Sequence, residues 1–412
     1  FFIRCGLAAY IYNKKIKIMD LPKIPYGRQH INDDDIQSVI KVLKSEHLTQ
    51  GPEIGALEKA FSEYVGSKYA IAVSNGTAAL HLSVLALGLK SGEKVITTPI
   101  SFVATTNCVK FCGGDIVFSD IDSKTYLLDI NKVRKILIDD VKKEIKGIIP
   151  VNFAGRVVDM EAFKKLANEF GCWILEDSCH SPGGYFLDSQ SKKQLSGNGK
   201  FADASIFSFH PVKHIAAGEG GMITTDNEKL YKKILNLRTH GIQQDPSKLI
   251  YDNSLWYYEM QELGFNYRLS DIHASLARSQ LKRAKLGLDK RKEIATKYYD
   301  YFKDKSYIKG QSTLIEGHAY HLYVIEVEER KELHSYLRKL NIWCQIHYLP
   351  IHLMPFYRDL CNEEGNFPSA ENYYKSCISL PIFPTLKTEE QDFVIKSINN
   401  FFLHNVIVSP AR

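Results

Sequence analysis

The feature that most constrains the fold is an alternation of short β-rich runs with helical segments between residues 69 and 225. Helical spacing of apolar residues occupies several of the gaps, for example 77–87 and 159–170. Such alternation predicts an α/β domain with a mainly parallel seven-stranded sheet, covered by helices and binding ligands at the carboxyl ends of its strands. The predicted strands are 69–73, 94–98, 115–120, 147–151, 173–177, 205–209 and 221–225.

The segments on either side of this domain are also mainly helical. Residues 32–45 carry apolar side chains at helical spacing behind Asn32, a plausible N-cap, and a second helix is predicted near 53–65. A helical stretch near 270–303 leads into a smaller α+β domain, with a strand at 321–327 and helices at 330–340 and 388–403. The predicted domain plan is an extension at 1–18, an N-terminal segment at 19–52, a large domain at 53–275, a small domain at 276–405 and a tail at 406–412.

Composition excludes several classes of protein. The net charge is +6, and the four cations and no acids of residues 1–18 leave only +2 for the rest, so bulk charge gives no case for nucleic-acid binding. No apolar run approaches the roughly 18 residues of a membrane span. The eight cysteines form no CxxC pair, which favours free thiols, a cytoplasmic location and no metal site.

The first 18 residues are expected to be non-native or disordered. Their lysines follow the apolar stretch, whereas a signal peptide places its charge first. Met19 is a plausible natural start.

Lys213 is the first candidate for chemistry. It follows the predicted strand 205–209 and precedes a glycine-rich turn, GEGGM, whose small residues allow close backbone approach. A lysine just beyond a strand end can reach into a cleft, although a single lysine is usually only solvated. Its amine is what pyridoxal phosphate (PLP) needs for covalent attachment.

Asp177 closes another predicted strand, in the run LEDSCH. A carboxylate there can pair with a protonated pyridine nitrogen, with a charge-assisted bond of about 1.5–3 kcal/mol. Capping a helix is its ordinary alternative role. His180, three residues on, could contact the phenolic oxygen of the cofactor, or be a structural histidine.

A phosphate cradle and an aromatic partner complete the set. In VSNGTAALHL a strand passes through Gly76 into a helix, which presents backbone N–H groups and a dipole to a phosphate. Thr77 can add its hydroxyl, and Ser208, five residues before Lys213, could also reach the phosphate. Phe102 is a candidate to stack on the ring, although a core role is its simpler alternative.

Together these motifs resemble the DegT/DnrJ/EryC1 family of PLP-dependent sugar aminotransferases, which have the PLP-dependent transferase fold of type I. The resemblance covers about residues 22–405. It rests, in chain order, on SNGTAAL, TPISFVAT, EDSCH, SFHPVKH followed by EGG, LRTHG and GFNYRLSDIHASLARSQL. Within the family, NFAGR and QIHYLPIH look most like the transaminases of pseudaminic acid biosynthesis.

The resemblance implies roles for individual residues. Lys213 would carry PLP and move protons, and Asp177 would hold the pyridine nitrogen. Asn266 would reach the phosphate of a second subunit, which implies a homodimer with shared active sites. The resemblance also points to residues for substrate binding, namely Tyr26, Glu46, His47, Leu48, Thr49, Gln345, Ile346, His347 and Tyr348.

The implied reaction transfers an amino group from L-glutamate to C4 of a UDP-4-keto-6-deoxy-N-acetylhexosamine, in a pathway that leads to flagellin glycosylation. Another aminotransferase, acting at C3 or C4 of a different UDP- or dTDP-linked sugar, is the main alternative. Relatives that dehydrate the sugar have a histidine in place of the lysine, so Lys213 favours transamination. A PLP-binding regulator would need a DNA-binding module, for which the sequence shows no signal.

Overall fold

The computed structural model describes residues 23–252, 254–360 and 363–406, without the side chains of 404–406. The predictions for residues 1–18 and for most of the tail, together with Cys5 and Cys361, lie outside the described residues. Elements are numbered in chain order, beginning with a two-residue strand that pairs with a strand far along the chain.

The strands are short, and seven of those described belong to one sheet. They are β1 (Ile24–Pro25), β2 (Tyr69–Val73), β3 (Lys94–Thr97), β4 (Asp115–Phe118), β5 (Ile145–Ile149), β6 (Trp173–Asp177), β7 (Tyr185–Leu187), β8 (Lys193–Leu195), β9 (Ala204–Ser208), β10 (Gly221–Thr225), β11 (Ile242–Gln243), β12 (Glu259–Met260), β13 (Gly310–Gln311), β14 (Tyr323–Glu326), β15 (Ile342–Trp343) and β16 (Cys377–Leu380).

The helices begin and end close to the predicted positions. They are α1 (Asp33–Leu43), α2 (Pro52–Val65), α3 (Gly76–Ala86), α4 (Ala104–Phe111), α5 (Ile130–Asp139), α6 (Met160–Phe170), α7 (Glu228–Arg238), α8 (Asp271–Lys282), α9 (Ala284–Phe302), α10 (Arg330–Lys339), α11 (Pro355–Arg358), α12 (Pro368–Ser376) and α13 (Thr388–Val406). Short 3-10 turns lie at Phe153–Gly155, Pro246–Lys248 and Ile351–Leu353.

The central sheet confirms the predicted α/β class. Its seven strands have the order β2-β10-β9-β6-β5-β3-β4. Only β10 runs antiparallel to its neighbours, and every predicted strand is present with small changes at the ends. The strands are buried because helices pack on the sheet, with α3 and α4 on one side and α2 and α8 against β2.

The second part of the chain has its own small sheet, β13-β14-β16, which packs with α9, α10 and α13 around a separate apolar cluster. The helical stretch predicted at 270–303 is two helices, because the backbone at Arg283 is not helical (φ −116°, ψ 12°). This break turns the chain from the large sheet toward the small one.

The sheet order decides which residues meet. Val73 and Ser208, the last residues of β2 and β9, both pair with Gly221 at the start of β10, and Asp177 pairs with Ile206. The loops that follow β2, β6 and β9 therefore leave the sheet side by side. These loops carry the predicted phosphate turn, Asp177 and Lys213.

Candidate active site

A cavity of about 470 Å³ opens at the carboxyl ends of β2, β6 and β9. Most of the residues that the sequence singles out line it together, although they are far apart in the chain. From that set the cavity wall includes Tyr26, Gly76, Thr77, Phe102, Asp177, His180, Ser208, Lys213, His347 and Tyr348.

Lys213 lies in the turn that follows β9 and is half-buried in the cavity wall. Its backbone N–H donates to the carbonyl of His210 at 2.8 Å, which fixes the turn. Burial lowers the pKa of the Lys213 amine, while Cys179 and Asp177 oppose this shift. A lowered pKa makes the neutral, nucleophilic amine more available near neutral pH.

Asp177 is buried at the end of β6, with both carboxylate oxygens held by donors. Thr105 Oγ1 donates to Oδ2 at 2.8 Å, and the Cys179 backbone N–H donates to Oδ1 at 3.2 Å. Ser101 and Thr105 share a hydrogen bond of 2.8 Å behind this contact. No helix begins at Asp177, so capping a helix is not its role here.

The N-terminus of α3 faces the cavity beside Ser208. Asn75 caps this helix by accepting from the Ala78 backbone N–H at 2.8 Å, while the amides of Gly76 and Thr77 have no acceptor within the helix. A Cβ on Gly76 would come 2.9 Å from Ser208 Cβ, so only glycine lets the serine sit against the helix end. The result is a cradle of backbone and hydroxyl donors that suits a phosphate.

Aromatic and imidazole rings line the wall of the cavity near Tyr348. The Tyr348 hydroxyl lies 3.4 Å from His180 Nε2, and the rings of Phe102 and Tyr348 are 6.5 Å apart. Burial lowers the pKa of His347 to about 3 and lowers that of His180 well below its ordinary value. Both imidazoles are therefore neutral at neutral pH.

The remaining predicted residues do not reach this cavity within one chain. Glu46, His47, Leu48 and Thr49 form an exposed turn after α1. Asn266 is exposed and pairs with Thr239 through a backbone bridge. Gln345 and Ile346 lie just before the cavity residues His347 and Tyr348 but are not in the cavity wall.

The structure also brings in residues that the sequence reasoning missed. Thr105 donates to Asp177, and Ser101 is hydrogen-bonded to Thr105. Asn75 caps α3, and Cys179 and Glu219 line the cavity. Thr105 could have been suspected because it lies one helical turn after Phe102 in TPISFVAT. Cys179 carried no signal beyond its place between Asp177 and His180.

These side chains fit PLP, as three separate features show. The cradle at Gly76 and Ser208 suits its phosphate, the held carboxylate of Asp177 suits its ring nitrogen, and Lys213 supplies an amine in the same cavity. The fold and this site define the chain as a PLP-dependent aminotransferase.

Comparison with known proteins identifies the family. The chain belongs to the DegT/DnrJ/EryC1/StrS aminotransferase family, whose model matches residues 29–399. It is therefore a PLP-dependent sugar aminotransferase, and the solved structures that it resembles include a PLP form.

Individual relatives cover nearly the whole chain. The UDP-4-amino-4,6-dideoxy-N-acetyl-beta-L-altrosamine transaminase of Campylobacter jejuni is 36% identical over 90% of this chain and 95% of its own. The spore coat polysaccharide biosynthesis protein SpsC of Bacillus subtilis is 35% identical over 92% and 96%. The structure of Helicobacter pylori PseC, an aminotransferase of pseudaminic acid biosynthesis, superposes with a TM-score of 0.83 at 32% identity, over 93% of this chain and 100% of its own.

The described residues include neither a membrane-spanning helix nor a cluster of metal ligands. No helix there is long and apolar enough to cross a membrane. In the same part of the chain, no group of three or more His, Cys, Asp or Glu side chains is placed to hold a metal ion.

Proposed function

We propose that this aminotransferase moves an amino group from L-glutamate to C4 of a UDP-4-keto-6-deoxy-N-acetylhexosamine, as a cytoplasmic step of pseudaminic acid biosynthesis that serves flagellin glycosylation. The observation that carries the chemistry is that Lys213 and Asp177 line one cavity beside the N-terminus of α3. The names of the Campylobacter and Helicobacter relatives support the choice of sugar and position.

Lys213 is the proposed acid and base of the reaction. Its amine would hold PLP between turnovers and, once displaced by glutamate, would take the proton from the donor's Cα. When the sugar follows, the same Nζ would deliver a proton to C4 of the sugar. Burial favours this role, because a lowered pKa brings the amine closer to the pH at which it must exchange protons.

Asp177 is proposed to hold the ring nitrogen of the cofactor in its protonated state. Bound PLP supplies an electron sink for the carbon that loses a proton. The carboxylate is well placed to keep that sink effective, since Thr105 and the Cys179 amide fix its orientation. Gly76, Thr77 and Ser208 would bind the phosphate.

The sugar is proposed to bind against Tyr26, His347 and Tyr348. The rings of Tyr26 and His347 are 5.1 Å apart, and His347 Nδ1 lies 2.8 Å from Ser379 Oγ, which orients the imidazole. The ring faces and edges of these three side chains offer apolar surface that suits a deoxy sugar.

A different nucleotide keto sugar is the second candidate for the substrate. It is favoured by the similarity to SpsC, which is nearly as high as that to the altrosamine transaminase. The two candidates share the roles of Lys213 and Asp177 and differ only in the sugar.

The active sites are proposed to be shared within a homodimer. Asn266 and the turn at 46–49 are exposed in one chain, as expected of residues that complete a partner's site. Large apolar side chains are exposed just before Asn266, among them Tyr251, Leu255 and Trp256. Several large apolar side chains exposed in one loop are a common feature of an interface with another chain.

The substrate is tested by offering a panel of UDP- and dTDP-linked keto sugars with L-glutamate labelled with heavy nitrogen. Mass spectrometry should show the label in one product, a 4-amino sugar formed from the UDP-4-keto-6-deoxy-N-acetylhexosamine. Lys213→Ala should give no labelled product, and Lys200→Ala, an exposed lysine of the same domain, should behave as the parent. If a different sugar is preferred, the proposed substrate is wrong, but the protein is still an aminotransferase.

Shared sites are tested by mixing two variants. Asn266→Ala leaves Lys213 in place, and Lys213→Ala leaves Asn266 in place. In a mixed dimer one of the two sites then has both native residues, so activity per lysine-containing chain should rise when Lys213→Ala chains are added to Asn266→Ala. No rise after chain exchange would contradict the sharing of Asn266.

A further inference from the structure

A second cavity, of about 230 Å³, shares Lys213 with the cofactor cavity but is otherwise separate from it. It lies between the segment after β1, the turn that carries Lys213 and the junction of α8 with α9. Its wall includes four lysine or arginine side chains, Arg28, Lys213, Arg283 and Lys290. It also includes His30 and His214, whose pKa burial lowers. None of the described residues that line it is an aspartate or glutamate.

The positive charge in this wall is only partly balanced. Arg283 is paired with Asp35, and Lys290 with Glu293 at 2.6 Å. Arg28 has no ion pair within the described ranges, and its guanidinium lies 5.3 Å from the centre of the Phe383 ring. One full cationic charge therefore faces the cavity without a carboxylate partner.

Hydrogen-bond donors are also left over. An arginine offers five N–H donors in a fixed fork, which matches the oxygens of a carboxylate or phosphate. Arg283 uses its terminal nitrogens on His30 and Asp35, whereas the exposed Arg28 side chain makes no hydrogen bond among the residues described. Gln29 adds an amide to the same wall.

We propose that this second cavity binds a small oxyanion, with Arg28 as its main ligand and Arg283 beside it. Phosphate and a short dicarboxylate share the required chemistry, since both present several negatively charged oxygens to the arginine fork. Because Lys213 belongs to both walls, the anion would bind next to the amine that the proposed reaction uses. The inference concerns binding and holds whichever sugar is the substrate.

The experiment is a calorimetric titration of the PLP-loaded protein, in buffer free of multivalent anions, with inorganic phosphate and separately with succinate. At least one of them should bind saturably. Arg28 is exposed, so Arg28→Gln should fold normally and weaken that binding by about tenfold or more. Arg28→Lys keeps the positive charge but loses the fork of N–H donors, so its affinity for the anion should lie between those of the parent and Arg28→Gln.

Lys135→Gln, an exposed lysine on α5, removes the same charge far from the cavity and should bind the anion as the parent does. The anion that binds more tightly identifies the source, phosphate or dicarboxylate. The proposal is overturned if neither anion binds saturably, or if Arg28→Gln and Lys135→Gln behave alike. Competition by UDP would also overturn it, because the anion would then occupy the place of the substrate's diphosphate.

Discussion

The cofactor cavity and the segment from residue 242 to 263 differ in how well their side chains are satisfied by contacts within a single chain. In the cavity, Asp177 is buried and both its oxygens have donors. In the segment, the two-stranded pairing of β11 with β12 carries a loop on which Leu255 is fully exposed and Trp256 is 77% exposed. In one region the groups proposed for the chemistry are held by their own chain, and the other region presents apolar surface to solvent.

This difference indicates which part of the site a partner would supply. Burying a large apolar side chain stabilises a protein or complex by about 1.5–3 kcal/mol, so several exposed together favour association. The segment leads directly to Asn266, the residue proposed to reach a partner's phosphate. The comparison therefore separates the chemistry, held within one chain, from the completion of the site, which we assign to a second.

The largest effect is expected at Lys213, the centre of the region that one chain completes. Lys213→Ala should lower turnover by about 10³-fold or more, because it removes both the attachment point and the acid–base group. Borohydride treatment of the PLP-loaded variant should no longer link the cofactor covalently to the chain. Mass spectrometry of the treated protein measures this link. Full turnover in this variant would show that the completed region has been misidentified.

A smaller loss is expected at Asp177. Asp177→Asn keeps the shape but removes the charge, so cofactor affinity should fall by about 10–100-fold, the equivalent of one charge-assisted hydrogen bond. Turnover with saturating PLP should also fall, because the ring nitrogen is no longer held protonated. Spectrophotometric titration of the apoprotein measures the affinity. An unchanged kcat would indicate that Asp177 only stabilises the turn and does not act on the cofactor.

The other side of the comparison is tested by making the exposed segment polar. The double change Leu255→Ser and Trp256→Ser should weaken the proposed dimer by about 10–100-fold while leaving the fold intact, because both side chains are exposed in the single chain. Sedimentation velocity measures the dissociation. Ile138→Ser, which changes an exposed apolar residue on α5, is the matched control. Equal dissociation in both variants would contradict the proposed interface.

The sequence predicts the cavity better than it predicts its surroundings. Asp177 closes a β-rich run, and Lys213 and Gly76 each follow one shortly after its end. The carboxyl ends of neighbouring strands meet whatever the details of packing. Thr105 could not be assigned to Asp177 in advance, because their contact depends on the order of β3, β5 and β6. The second cavity was not foreseen either, since Arg28 and Arg283 are 255 positions apart and meet only through tertiary packing.

The exposed turn at 46–49 shows a different limit. Its residues match a family pattern, but local sequence does not indicate whether a matched residue serves the active site of its own chain or that of a partner. Single-chain burial cannot decide the point, because a residue that serves a partner looks exposed until the partner is present. The residues of the cavity are easier to predict because they lie at or near the ends of strands of one sheet in their own chain.

The smallest effect concerns the pH at which the completed region takes up its cofactor. Burial lowers the pKa of Lys213, so the neutral amine should predominate at a lower pH than for an ordinary lysine, whose pKa is about 10.4. Covalent uptake of PLP by the apoprotein should therefore become faster as pH rises, with a midpoint below that value. Stopped-flow absorbance across the pH range measures it, with a free alkylamine as the reference. A midpoint equal to that of the free amine would mean that water reaches Lys213, and the cavity would then be less complete than its geometry indicates.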